Sequence, residues 1–223
     1  MKEFWYDISE CPFCKNHVEH ARVSTTAEKV SKYDQDLKPE YSGPNVLKFS
    51  IVTCSKCIFT FNINEMKIYD KYLSSYKTYR ESIDVFLKSL DNKTIPNIDN
   101  SERKSDFFYS QQLIINAEIM AIFERPLDSA KALLKLSWLY RDNKEENKEL
   151  KILNDVLFLT ENFFSKAETD AETIFALFYP GYIHYRFGRK KEAASFFDKL
   201  RRMYGNSTNP YIKAAKTLRS ELS

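Results

Sequence analysis

The sequence predicts an α+β chain that is mostly α, with a small β-rich domain at its start and an antiparallel helical array after it. Three observations carry this. Four cysteines fall as two Cys-x2-Cys hooks, Cys11–Cys14 and Cys54–Cys57, in a stretch rich in turn formers. From residue 65 onward apolar residues recur at steps of three and four, the helical period. The whole chain has only four glycines, against many Leu, Lys, Glu, Ala and Phe, which favours helices over a turn-rich β fold.

The segments divide as 1–64, a β domain built on the hooks; 65–104, a long helix and linker; and 105–223, a helical domain. In the first, Val46–Thr53 is β-branched and alternates loosely, so it predicts a strand entering the second hook, and Ile58–Asn62 predicts a strand leaving it. Pro39, Gly43, Pro44 and Asn45 mark turns between the hooks. Next, Tyr69, Tyr72, Leu73, Tyr76, Tyr79, Ile83, Phe86, Leu87 and Leu90 fall on one face of a single helix running to Leu90. The polar stretch from Asp91 to Lys104 predicts a loop. Helices are then expected over 105–124, 127–142, 146–167, 170–187, 189–204 and 210–222. Their starts are marked by Ser105-Asp106, by Asp128 after Pro126, and by Asn209-Pro210. Connections this short make neighbouring helices antiparallel.

Two helical segments resemble tetratricopeptide repeats, in which small residues let paired helices pack closely. One runs Gly181-x6-Gly188-x4-Ala193-x3-Phe197, with glycines at the positions of the first helix and of the turn, and small and aromatic residues in the second helix. The other, Ala132-x3-Leu136-Ser-Trp138-Leu139-Tyr140-Arg141, is followed by a second helix near Leu150–Leu159, shifted by about two residues from the usual period. A plain helical bundle is the alternative. Pro180 lies inside a helical stretch and is expected to kink or break it.

Charge and composition exclude several classes. With 34 basic and 31 acidic residues the net charge is +3, too mild to select nucleic acid as a partner. No apolar run approaches the roughly 20 residues of a membrane helix. The opening residues, Met1 to Asp7, are interrupted by acidic side chains and lack a signal peptide's apolar region, so the cytoplasm is the expected compartment. Cysteines there serve as metal ligands more often than as disulfides.

The hooks carry the most specific chemistry. A Cys-x2-Cys turn puts two thiolates on one side of a metal, and two such turns complete the tetrahedral shell that zinc prefers. Cys11, Cys14, Cys54 and Cys57 are therefore expected to hold one structural Zn2+, making 1–64 a zinc-ribbon-like domain. The 39 residues between the hooks are tolerable because loop closure costs grow slowly with length. A thiol–disulfide pair and ordinary buried cysteines are the competing readings; two pairs at one spacing, with no βαβ pattern nearby, count against both. His17 and His20 follow the first hook; one could replace a cysteine or bind a second metal, but both are expected to be exposed polar side chains, since four thiolates already fill the shell. Asp34 and Asp36 offer a cation site or, as Asp favours, a turn or cap. The stretch Arg186–Arg202, with seven basic and two acidic side chains, is either a solvated helix face or a contact for an acidic partner or nucleic acid.

Taken together, these motifs resemble a bacterial family, the domain of unknown function 2225. The resemblance rests on both hooks, on Asp34-Gln-Asp36, Tyr41-Ser-Gly43-Pro-Asn45 and Phe49-Ser-Ile51-Val-Thr-Cys54, and on Leu136-Ser-Trp138-Leu-Tyr140-Arg141 with Gly181-x6-Gly188. It implies a cysteine-hook ribbon joined to tetratricopeptide-like helices, and no particular activity. Two departures stand out: Ile58 follows the second hook where the family has glycine, so that turn is expected to be distorted, and Pro44-Asn45 reverses the family's Asn-Pro.

The sequence contains no Gly-rich phosphate loop, no supported nucleophile–histidine spacing and only three histidines (His17, His20 and His184), so no catalytic residues are assigned and an enzyme is not expected. The functional expectation is a non-enzymatic, zinc-binding adaptor or scaffold that offers a helical surface to another protein or peptide. The alternative is a nucleic-acid-binding regulator using the ribbon and residues 186–202. It is weakened by the eight basic and eight acidic side chains that cancel within 1–64.

Overall fold

The computed structural model describes residues 3–90 and 98–222. The chain is mostly helical, with short two-stranded sheets confined to its first part. It forms two compact units: residues 1–30 with 41–124, and residues 31–40 with 125–223. These units cut the chain differently from the segments 1–64, 65–104 and 105–223, because the ten residues from Ser31 to Glu40, between the hooks, pack with the later helices.

In the first unit each hook is the turn of an antiparallel hairpin. Strands β1 (Phe4–Glu10) and β2 (His17–Val23) pair with Glu10 opposite His17, and the first hook closes them. The short strands β3 (Val30–Tyr33) and β4 (Pro39–Tyr41), which fall mostly in the second unit, form their own pair. Next comes α1 (Val46–Phe49), a single turn where a strand was expected. The Asn45 side chain accepts from Leu47 N at 3.0 Å, an N-cap that starts a helix in a β-branched stretch. At its end, the buried Lys104 ammonium donates to the carbonyls of Lys48 (3.0 Å) and Ile51 (2.6 Å). Burial pulls that ammonium down to about 7. Only Ile51–Thr53 remain as strand β5, which pairs with β6 (Thr60–Asn62) across the second hook, Thr53 opposite Thr60.

The single long helix expected up to Leu90 is two helices, α2 (Met66–Ser75) and α3 (Lys77–Ser89), broken at Tyr76, whose φ −138° and ψ 108° are extended. Periodicity cannot see this break, because both halves keep the same apolar phase. Packing can: seven residues on a straight helix rise about 10.5 Å, whereas the Tyr72 and Tyr79 rings lie 5.7 Å apart and both flank Phe123. The loop predicted over 91–104 falls partly on residues 91–97, which lie outside the described residues; 98–104 are irregular and lead into α4 (Asp106–Ile122). Ser105 caps α4 by accepting from Phe108 N at 3.1 Å. The core of this unit joins Cys11, Cys54, Phe13, Phe59, Phe61 and Tyr69 to Leu73, Ile83, Leu87, Ile119 and Phe123.

The helices of the second unit are α5 (Pro126–Asp142), α6 (Glu146–Asn162), α7 (Asp170–Arg186), α8 (Lys190–Tyr204) and α9 (Pro210–Ser220), with a 3₁₀ turn at Phe164–Lys166. They match the expected spans to within a few residues. α5 packs on α6 and α7 on α8. The two connecting turns are alike: Lys144 N donates to Arg141 O and Glu145 N to Tyr140 O, while Gly188 N donates to Tyr185 O and Arg189 N to His184 O. Each turn places one residue in the left-handed region, Lys144 at φ 60° and Gly188 at φ 72°. So the glycine read as a turn residue does that work at 188, and a lysine does it at 144.

Pro180 does not break its helix, contrary to expectation: α7 runs unbroken from Asp170 to Arg186. The proline forfeits one backbone hydrogen bond, but it lies in an unbroken run of buried residues, Ile174 to His184, whose packing keeps the helix continuous across the gap. Beside it, Gly181 lets α8 approach. A Cβ added there would lie 2.6 Å from the Phe197 ring. Gly181→Ala is expected to destabilise the second unit by about 1–3 kcal/mol, despite alanine's better helix propensity. The check is the urea midpoint, and an unchanged midpoint would mean that Phe197 moves aside at little cost.

Candidate metal centre

The two hairpins bring all four cysteines together: their Sγ atoms lie within 4.8 Å of one another. Cys11 Sγ is 3.7 Å from Cys57 Sγ, and Cys14 Sγ is 3.5 Å from Cys54 Sγ, so each close pair joins one hook to the other. These are free thiols rather than disulfides. A tetrahedron with metal–sulfur bonds of about 2.3 Å has edges of about 3.8 Å, close to both distances. The site can therefore hold a metal ion. Cys11 and Cys54 are fully buried and Cys14 and Cys57 half-buried.

Backbone geometry builds both hooks in the same way. In the first, Lys15 N donates to Cys11 O (2.9 Å) and Cys11 N to Asn16 O (2.8 Å); in the second, Ile58 N donates to Cys54 O (2.9 Å) and Cys54 N to Phe59 O (2.9 Å). The residue after each hook turns left-handed, Lys15 at φ 62° and Ile58 at φ 64°. The second turn is thus intact rather than distorted; what Ile58 adds is strain, since a β-branched side chain disfavours positive φ.

Several side chains that the motifs did not single out position the hooks. Arg80 donates to Phe13 O at 2.6 Å and lies over the Phe13 ring, holding the first hook against α3. Asn100 brackets Thr53, accepting from its N–H at 3.1 Å and donating to its carbonyl at 2.8 Å. From α4, Gln112 donates to Thr53 Oγ1 (3.1 Å), and Asn116 to Tyr69 Oη (2.8 Å), which itself accepts from Asn62 N (2.8 Å). The spacing of Gln112 and Asn116, four apart on one face of a helix rich in Phe, Leu and Ile, was the legible signal: buried amides must have partners.

On their own, Cys11, Cys54 and Cys57 compete for protons. The hydrogen bond to Cys54, with burial, pushes Cys11 up to about 12, and the one to Cys11 raises Cys57 too, whereas Cys54 is pulled down by the hydrogen bonds it receives. A cation bound there displaces those protons and relieves the crowding of sulfurs.

The other sequence candidates go elsewhere. His17 is exposed, as expected, but His20 is buried against Ser9, with Nε2 2.9 Å from its Oγ, and burial lowers its pKa. Neither belongs to the cysteine cluster. Asp36 is a buried anchor in the second unit: its carboxylate accepts from Trp138 Nε1 and Arg141 Nη2, each at 2.9 Å, and its carbonyl accepts from Tyr179 Oη at 3.0 Å. Asp34 lies 3.5 Å from another Arg141 nitrogen, and Arg141 Nε reaches Glu149 at 2.7 Å. The Asp pair faces an arginine, so it is not a cation site. Two motifs read separately, Asp34-Gln-Asp36 and Trp138–Arg141, meet here in one network.

Residues 6–222 match the family described as an uncharacterized protein conserved in bacteria, DUF2225. The chain belongs to this family. No curated protein and no solved structure matches it.

Two outcomes test these assignments. Ile58→Gly is expected to raise stability by about 1 kcal/mol, as relief of the left-handed strain exceeds the lost apolar contact; a lower melting temperature would show that the contact outweighs the strain. Asp36→Asn, which strips the charge facing Arg141, is expected to cost about 3 kcal/mol in chemical denaturation; a change near zero would assign the anchoring to Trp138 and Tyr179 instead.

Proposed function

We propose that this DUF2225 chain is a non-enzymatic adaptor in which a structural Zn2+ held by Cys11, Cys14, Cys54 and Cys57 stabilises the ribbon, and the helical unit binds another protein. The observation that carries the metal reading is the closure of both hooks on one point, with inter-hook sulfur separations of 3.5 and 3.7 Å. All-sulfur, four-coordinate sites are typical of structural zinc. Such a shell has no open position for water, so the ion supplies folding energy and not hydrolysis.

The interaction reading draws support from the second unit, whose successive helix pairs share one turn geometry and resemble tetratricopeptide units that display a peptide-binding surface. Nucleic-acid binding through the ribbon has less support, because charge cancels within residues 1–64.

Metal analysis of the purified chain is expected to give about one zinc per chain. Cys54→Ser should lose it and lose the cooperative unfolding of the first unit; unchanged metal content and melting temperature would remove the structural-zinc reading. Affinity capture from a native lysate with zinc-loaded bait should return a stoichiometric protein. Recovery of nucleic acid alone, or of nothing, would overturn the adaptor reading.

A further inference from the structure

The last two helices carry a charge the rest of the chain does not. From Arg186 to Ser223 there are ten basic and three acidic side chains, a net of +7 in a chain whose total is +3, so the remaining residues sum to −4. Part of this charge rims a recess of about 450 Å³ between α8 and α9. Its floor is apolar, formed by Phe197, Ile212 and Ala215, and its rim carries Arg201, Lys216 and Arg219.

The rim is held in place. Asp198 accepts from Arg219 Nε at 3.2 Å and lies 3.7 Å from Arg201 Nη2, so one carboxylate draws both guanidinium groups to the same edge. Lys216 Nζ donates to Gly205 O at 2.7 Å, which fixes it across the α8–α9 connection. The Arg201 side chain is 63% exposed and that of Arg219 36%, so both planar groups still meet water. Three cations around one carboxylate leave the rim positive. Pre-organised guanidinium groups recognise carboxylates by paired hydrogen bonds.

We infer that this α8–α9 recess binds an acidic segment of a partner protein, seating one bulky aliphatic side chain on the floor while flanking carboxylates meet Arg201, Lys216 and Arg219. The inference deepens the adaptor reading and rests on it. An acidic protein segment fits better than nucleic acid for two reasons. Single-stranded nucleic acid asks for several aromatic faces on which successive bases stack, and this recess is lined by one aromatic residue, Phe197. A line of phosphates asks for cations along a track, whereas these converge around one apolar recess of the size that takes a side chain or small group.

The test is fluorescence polarisation with the full-length, zinc-loaded chain. The probe is a labelled synthetic peptide in which glutamates flank a leucine pair. Measurable binding is expected, weaker at higher salt, at least about tenfold weaker with Arg201→Glu/Lys216→Glu, and several-fold weaker when the leucines become alanine. Lys191→Glu, a charge reversal on α8 outside the recess lining, should leave binding within about twofold. Because charge reversal can disturb α8 and α9, Lys216→Gln with an unaltered melting temperature serves as the milder variant and should weaken binding in the same direction. Equal losses with Lys191→Glu and with the recess variants would overturn the site, as would indifference to the leucines. Tighter binding of a labelled oligonucleotide, lost with the same variants, would replace it with nucleic acid. A peptide that fails to bind while native and double-variant bait capture the same lysate protein would sink the recess and leave the adaptor reading standing; empty capture with both would remove the two together.

Discussion

A carboxylate closed off from water, Asp36, decides where the chain between the two hooks must go. Burying a charge is costly unless it is paired and hydrogen-bonded, and Asp36 meets that condition only where Trp138, Arg141 and Tyr179 converge. The hook-to-hook connection therefore belongs, from Ser31 to Glu40, to the compact unit of the later helices. The chain enters that unit before it has finished building the first one. Arg141 extends the arrangement to Glu149 on α6, and Lys38 pairs with Asp142 at the end of α5, so the inserted segment and two helices share one set of charges. The length of the insertion, unusual for a ribbon, follows from this role.

In the first unit sulfur and aromatic carbon share one core. Phe13 and Phe59 stack at 5.7 Å next to the hooks, and Tyr69 meets Phe59 and Phe61 edge-on. Around this core side-chain amides bond the strands: Asn100 brackets the Thr53 backbone, Asn116 donates to Thr60 O at 3.3 Å and Gln112 to Thr53 Oγ1. Sheets of two strands are marginal by themselves; here α4 supplies the missing hydrogen bonds and the hooks supply the closure. The cysteine cluster and the fold are thereby coupled, since the thiols can meet at one point only when both hairpins have formed.

In the second unit two helix pairs share a turn geometry that their sequences do not share. The turns at Lys144 and Gly188 make the same backbone hydrogen bonds, yet only one has the residue that favours a left-handed φ. Gly181 is kept for another reason, the close approach of Phe197. Positive charge then accumulates beyond Arg186, on helices with one face in the core and the other in water.

Local order was legible in the residues. The hooks, the helices from Ser105 onward, the turn at Gly188 and the caps at Ser105 and Asn209 all follow from spacing and from residue types with strong backbone preferences. The left-handed residue after the second hook was legible too, as a position unsuited to Ile58, although the turn accommodates it. The exceptions were overrides of local preference: the Asn45 cap turned an apparent strand into a helix, the break at Tyr76 split one amphipathic run in two, and burial carried α7 through Pro180. The four cysteines that come together were identifiable from the sequence alone because a Cys-x2-Cys hook is set by its own backbone turn. What only the tertiary structure decided was which distant residues meet, Asp36 with Trp138 and Arg141, Arg80 with Phe13, Asn100 with Thr53. Partners separated by tens of residues leave no period or spacing in a single sequence, because they are chosen by the need of each buried polar group for a complement.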